Sequence, residues 1–66
     1  FLAITPRQRE VLRLFAEGRT AKEIGAELGI SARTVETHKY ELMRALGLKT
    51  SAELVHFAIR HGIVEI

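Results

Sequence analysis

Apolar residues recur at intervals of three and four along the chain and never alternate singly, a pattern that predicts helices and no strands. Val11, Leu12, Leu14, Phe15 and Ala16 follow Thr5-Pro6-Arg7-Gln8. Thr5 is placed as an N-cap and Pro6 as the first helical residue. Gln8 has the spacing of a capping box, in which each of two side chains bonds the other's backbone amide. This helix stops at Gly18, a residue able to take the left-handed conformation of a helix end. Thr20 and Glu23 repeat the capping-box spacing, Ile24 and Leu28 share a face, and Gly29 closes a helix of about two turns. Ser31 caps a third, longer helix that ends before Gly47. Thr50 and Glu53 start a fourth, which ends near Gly62 and leaves a short apolar tail of Ile63 and Val64. The expected fold is all-α, a compact four-helix bundle with connections of about two to four residues.

The faces of the third helix differ sharply. At about 100° per residue, Val35, Leu42 and Leu46 form its buried stripe, with His38 on the edge. The opposite face carries Arg33, Thr37, Tyr40 and Arg44, with Glu36 flanking and no large aliphatic side chain. On an isolated helix such a face is ordinarily just solvated. Here the helix follows a short helix and the turn Gly29-Ile30-Ser31, which makes a helix-turn-helix. In that arrangement the first helix crosses the backbone of a DNA duplex and the second lies in the major groove. Thr20, Lys22 and Thr34 stand at helix N-termini, which attract phosphates through free amides and the helix dipole.

The fourth helix has two apolar stripes. Leu54, Phe57, Ala58 and His61 make a core face. Ala52, Val55, His56 and Ile59 make a second one, more than a peripheral helix needs. Scattered surface apolar residues are one reading of it. The other is a two-fold contact between two copies of the chain, in which the small Ala52 permits close approach.

Composition narrows the function classes. The chain has 66 residues, which is one domain. It contains no Cys, Asp, Asn or Trp. That excludes disulfide scaffolds and thiolate zinc sites, and no apolar run approaches the ~20 residues of a membrane span. His56 and His61 fall on different faces and lack a third ligand, so neither a metal nor any other cofactor is expected. No phosphate-cradling glycine loop or acid–base pair is present, and catalytic residues are expected to be none. The net charge is only +2. The middle of the chain is the most basic part, with Arg33, Lys39, Arg44 and Lys49 against Glu36 and Glu41. Arg60 against Glu53 and Glu65 leaves the end slightly acidic. The chain begins at Phe1 without a signal peptide, and is expected to be part of a longer protein.

Thr5-Pro6-Arg7-Gln8-Arg9-Glu10-Val11-Leu12 resembles the opening of the LuxR-type (GerE, NarL/FixJ-type) DNA-binding domain. Lys22-Glu23-Ile24, Leu28-Gly29-Ile30-Ser31, Arg33-Thr34-Val35-Glu36-Thr37-His38, Leu46-Gly47-Leu48 and Ser51-Ala52-Glu53-Leu54-Val55 resemble its later motifs, in order and at matching spacing. The resemblance spans essentially the whole chain. It implies a single domain over residues 1–66, the C-terminal part of a cytoplasmic bacterial transcription regulator of the response-regulator kind. A receiver or ligand-sensing domain would precede it. It implies double-stranded DNA as partner and a homodimer through the fourth helix, with RNA polymerase as a further candidate partner.

By resemblance, Glu36, Thr37 and Tyr40 occupy base-facing positions, and Thr20, Lys22 and Thr34 backbone-contacting ones. With the facial reading, the expected base readers are Arg33, Glu36, Thr37 and Tyr40. The expected phosphate contacts are Thr20, Lys22, Thr34, His38, Lys39 and Arg44, and the expected dimer contacts are Ala52, Val55, His56 and Ile59. His38 also reads as a helix-packing residue. Lys39 lies nearer the core side, where its stem can be buried.

Three positions depart from the family pattern. Gln8 stands where Glu is usual, Ala21 where Asn is frequent, and Glu36 where many members carry Lys or Arg. A carboxylate at position 36 either accepts from cytosine N4 and disfavours other bases, or pairs with Arg33 or Lys39. A sigma-factor region-four module shares the helix-turn-helix but does not need the second stripe on the fourth helix. A helical protein-interaction module needs no nucleic acid at all.

Overall fold

The computed structural model describes residues 4–64. Its helices are α1 (Pro6–Ala16), α2 (Ala21–Leu28), α3 (Ala32–Leu46) and α4 (Ser51–Arg60), and no strand is present among the described residues. All three capping boxes form. Thr5 caps α1 with Gln8, Thr20 caps α2 with Glu23, and Thr50 caps α4 with Glu53. At α4 the Glu53 carboxylate also accepts from the Lys49 amide at 2.7 Å, so one side chain holds two turn amides. Ser31 caps α3 by accepting from the Thr34 amide at 3.0 Å.

The helices gather around α1, which packs against each of the other three, while α2 also packs against α3. Val11, Leu12 and Leu14 of α1 meet Ile24 of α2, Val35 and Leu42 of α3, and Leu54 and Ala58 of α4. Every buried side chain is aliphatic, and no polar side chain is buried among the described residues. The whole measures 27 × 24 × 20 Å. A core this small makes single packing errors costly.

One expected core residue is not there. His61 is exposed, because α4 ends at Arg60 and the helical step that places His61 on the core face no longer applies. Its ring lies against Phe57 instead, with centroids 4.3 Å apart. Gly62 reverses the chain at φ 69°, the Ile63 amide donates to the Ala58 carbonyl at 2.8 Å, and Ile63 closes the core.

The turn between α2 and α3 is the tightest point. Gly29 takes φ 73° and the Ile30 amide donates to the Gly25 carbonyl at 2.9 Å. A β-carbon on residue 25 would stand 2.6 Å from the Ile30 carbonyl oxygen and 3.2 Å from the Ala32 nitrogen. Both obstacles are backbone, so neither can swing aside. Gly25→Ala is expected to destabilise the chain by about 1–3 kcal/mol, the usual cost of overpacking, despite the better helix propensity of alanine. Urea unfolding checks this, and an unchanged midpoint would show that the turn can yield.

Candidate nucleic-acid interface

The start of α2 is held by its capping box. The Thr20 amide donates to the Glu23 carboxylate at 2.9 Å, and the Glu23 amide donates to the Thr20 hydroxyl at 3.1 Å. The first of these bonds, then the Thr20 side chain, holds the exposed Glu23 carboxyl below the usual carboxylate range, with Arg19 adding a smaller pull. The first-turn amides of Ala21 and Lys22 have no partner within the helix. Lys22 is exposed, and no ion pair among the described residues holds its ammonium. At the start of α3 the Thr34 hydroxyl lies 2.9 Å from the Ser31 hydroxyl, and no acid occupies the first turn.

The outward face of α3 is built as the pattern of residues predicts. Arg33, Glu36, Thr37, Tyr40 and Arg44 are all exposed, opposite the buried Val35 and Leu42. Tyr40 is 63% exposed, too open for a core aromatic. The Arg44 guanidinium stands over its ring at 5.9 Å, one helical turn on. The Thr37 hydroxyl donates to the Arg33 carbonyl at 3.1 Å. Of the two readings of Glu36, the ion pair is absent. Its carboxylate makes no salt bridge with Arg33, Lys39 or any other described residue.

Lys39 is turned inward. Its ammonium lies 4.6 Å from the centre of the Phe15 ring and 3.4 Å from the Ser51 hydroxyl, so it links α3 to α1 and α4. This differs from the open phosphate contact expected of it, and follows from its place on the half-buried flank of α3. Phe15 and Ser51 enter the site as the partners of Lys39. No spacing along the chain signals that contact, because it joins three helices. His38 is half-buried on the other side of the same stripe.

On α4, Ala52 and His56 are exposed, Val55 is half-buried and Ile59 is 37% exposed, so the second stripe faces outward. A surface cleft of about 670 Å³ lies elsewhere, between the start of α1 and Ile63, lined by Arg7, Arg9, Glu10 and Arg13. It contains no residue of α2 or α3. No cluster of His or Glu among the described residues could hold a metal ion. No helix there is long and apolar enough to cross a membrane.

The capped pair α2–α3, joined by a glycine turn and backed by α1 and α4, defines a helix-turn-helix domain. A model of a family described as bacterial regulatory proteins, luxR family, matches residues 2–58. The chain is 48% identical over 61 residues to the transcriptional regulatory protein MctR of Rhizobium johnstonii, covering 92% of this chain and 28% of that protein. It is 42% identical over 65 residues to the oxygen regulatory protein NreC of Staphylococcus aureus, covering 98% of this chain and 30% of NreC. It is 41% identical over 63 residues to the uncharacterized response regulatory protein YgeK of Escherichia coli, covering 96% of this chain and 43% of YgeK. The solved structure of the transcription factor GerE superposes with a TM-score of 0.82 at 27% identity, covering 96% of this chain and 94% of that one. The chain therefore belongs to the luxR family of bacterial regulatory proteins, and is a DNA-binding domain of the transcription-regulator kind rather than an enzyme. It spans less than half the length of each of these curated relatives.

The Glu23 shift has a consequence for stability. A carboxyl lowered in the folded state contributes stability above its unfolded pKa, and that contribution is lost as pH falls through the folded value. Glu23→Gln keeps an acceptor for the Thr20 amide but cannot titrate. Between about pH 6 and about pH 3 the variant is expected to lose less stability than the parent. Urea midpoints at the two pH values measure the difference, and equal losses would contradict the link.

Proposed function

We propose that the chain binds duplex DNA sequence-specifically as a pair of copies, with α3 in the major groove and α2 across the backbone. The observation that carries this reading is the outward face of α3. Arg33, Glu36, Thr37 and Tyr40 stand exposed together, directly beyond the turn that joins α2 to α3, and the starts of both helices offer free amides. A groove about 12 Å wide accepts such a helix, and these side chains span the donor and acceptor types that read base edges. Thr20, Lys22 and Thr34 flank the groove as phosphate contacts, with Arg44 and His38 further along α3. Lys39 serves mainly to hold α3 against α1 and α4.

Ala52, Val55, His56 and Ile59 form the contact between copies. The patch is small, and an interface of that size gives a weak dimer that DNA reinforces. Two copies so joined read half-sites about one helical turn apart. The relative named as a response regulatory protein, of which the chain covers 43%, supports a longer cytoplasmic protein with a receiver or ligand-sensing domain ahead of residues 1–66; RNA polymerase is proposed as a further partner. The family match favours this over a sigma-factor module. Absence of binding to random duplex at low salt would favour a protein-interaction module.

Lys22→Ala is expected to weaken binding to all sequences alike and to reduce the slope of log affinity against log salt by about 1, the signature of one lost phosphate contact. Lys39→Ala is expected to leave that slope unchanged while lowering the unfolding midpoint. Equal slope losses in the two variants would return Lys39 to the phosphate set.

Thr37→Ala and Tyr40→Ala are expected to alter the preferred site, at about 1–3 kcal/mol per lost base contact. Site selection from random duplexes tests this. If both variants keep the parent's preference, α3 does not read bases through this face.

A further inference from the structure

The groove face of α3 has a donor and acceptor character that the structure makes unusually definite. Glu36 is exposed and its carboxylate has no partner among the described residues, so in the proposed complex it meets the groove as a pure acceptor. Thr37 beside it has already committed its hydroxyl proton to the Arg33 carbonyl at 3.1 Å, which leaves its oxygen lone pairs for a ligand. Two neighbouring groups therefore present acceptors where base edges would lie. Arg33, one turn earlier, is donor-only, and no acid among the described residues pairs with it.

We propose that Glu36 is a specificity-determining residue that selects cytosine, accepting a hydrogen bond from the free hydrogen of its N4 amino group. This rests on the reading of α3 as the groove helix. Among base edges in the major groove, only cytosine N4 and adenine N6 donate. Adenine N6 sits between two acceptors, its own N7 and thymine O4, and both repel a carboxylate. Cytosine N4 has guanine O6 on one side only, with the C5 carbon on the other. Arg33, with its forked donors, suits the N7 and O6 of a guanine close by. A carboxylate also repels phosphate, so Glu36 contributes to affinity only where a base donor meets it.

Site selection from random duplexes with the parent chain, Glu36→Gln and Glu36→Lys tests this. Circular dichroism confirms that the variants fold, as expected for an exposed side chain with no ion pair among the described residues. The parent is expected to fix a cytosine at one position of each half-site. Replacing that cytosine is expected to weaken parental binding at least about tenfold, the scale of one base contact. Glu36→Lys is expected to move that position to guanine and Glu36→Gln to adenine, with the other positions unchanged.

If Glu36→Lys keeps the parental site and only binds every duplex more tightly, Glu36 acts as a bulk charge and the proposal fails. If the parent binds selected sites with no fixed cytosine, the proposal fails while the groove reading stands. If neither parent nor variants bind duplex at low salt, both fail together.

Discussion

The Ile30 carbonyl occupies nearly the place where a side chain on residue 25 would begin, and the path of the chain from α2 into α3 depends on that vacancy. α2 is eight residues long and buries only Ile24 and Gly25. Of its other apolar side chains, Ala21 and Leu28 are only partly buried against the core. Because Gly25 has no β-carbon, the turn lies directly against the helix, and the Ile30 amide can reach the Gly25 carbonyl. The direction of α3 follows from that contact. Its rotation follows from Val35 and Leu42, which are fully buried. Once both are set, Arg33, Glu36, Thr37 and Tyr40 can face only outward. The proposed reading face is a consequence of close packing on the opposite side.

The caps divide the electrostatic work between the two helix starts. Both use neutral hydroxyls, since the chain has no Asp or Asn. α2 nevertheless carries its own anion, because Glu23 completes the box and stays ionised through the hydrogen bonds from Thr20. α3 has only Ser31 and Thr34, with no acid in its first turn. No acid in its own first turn thus offsets its positive end. An approaching phosphate gains more from the start of α3, while Lys22 offsets Glu23 at α2.

What could be read in the sequence was whatever depends on neighbours a few residues away. The helix starts were visible because Thr–x–x–Gln and Thr–x–x–Glu pair locally, and the faces of α3 because rotation per residue is fixed. His61 escaped, since its place on the core face assumes one more residue of helix than α4 has. Gly62 supplied Ile63 in its stead, and that exchange depends on how the helix end meets the core. Lys39 escaped for a different reason. Its position on the flank of α3 was clear, but whether its ammonium turns out to a phosphate or in to Phe15 and Ser51 is decided by two other helices. The pairing of Glu36 stayed open until the distances excluded its cationic neighbours.

A net charge of +2 understates how the cations are arranged. The arginines of α1 and its following turn are largely engaged within the chain. Arg7 pairs with Glu10, Arg13 with Glu17, and Arg19 with Glu17 and Glu27. Lys22, Arg33, Arg44 and Lys49 have no acid partner among the described residues, and all lie at the start of α2, on α3 or just after it. Into this region the chain places Glu36, whose charge subtracts from any attraction to phosphate. Fewer neutralised phosphates mean a smaller counterion contribution to affinity. In the proposed complex, the base contacts and the pairing of two copies would then supply a larger share, and that share would distinguish one sequence from another.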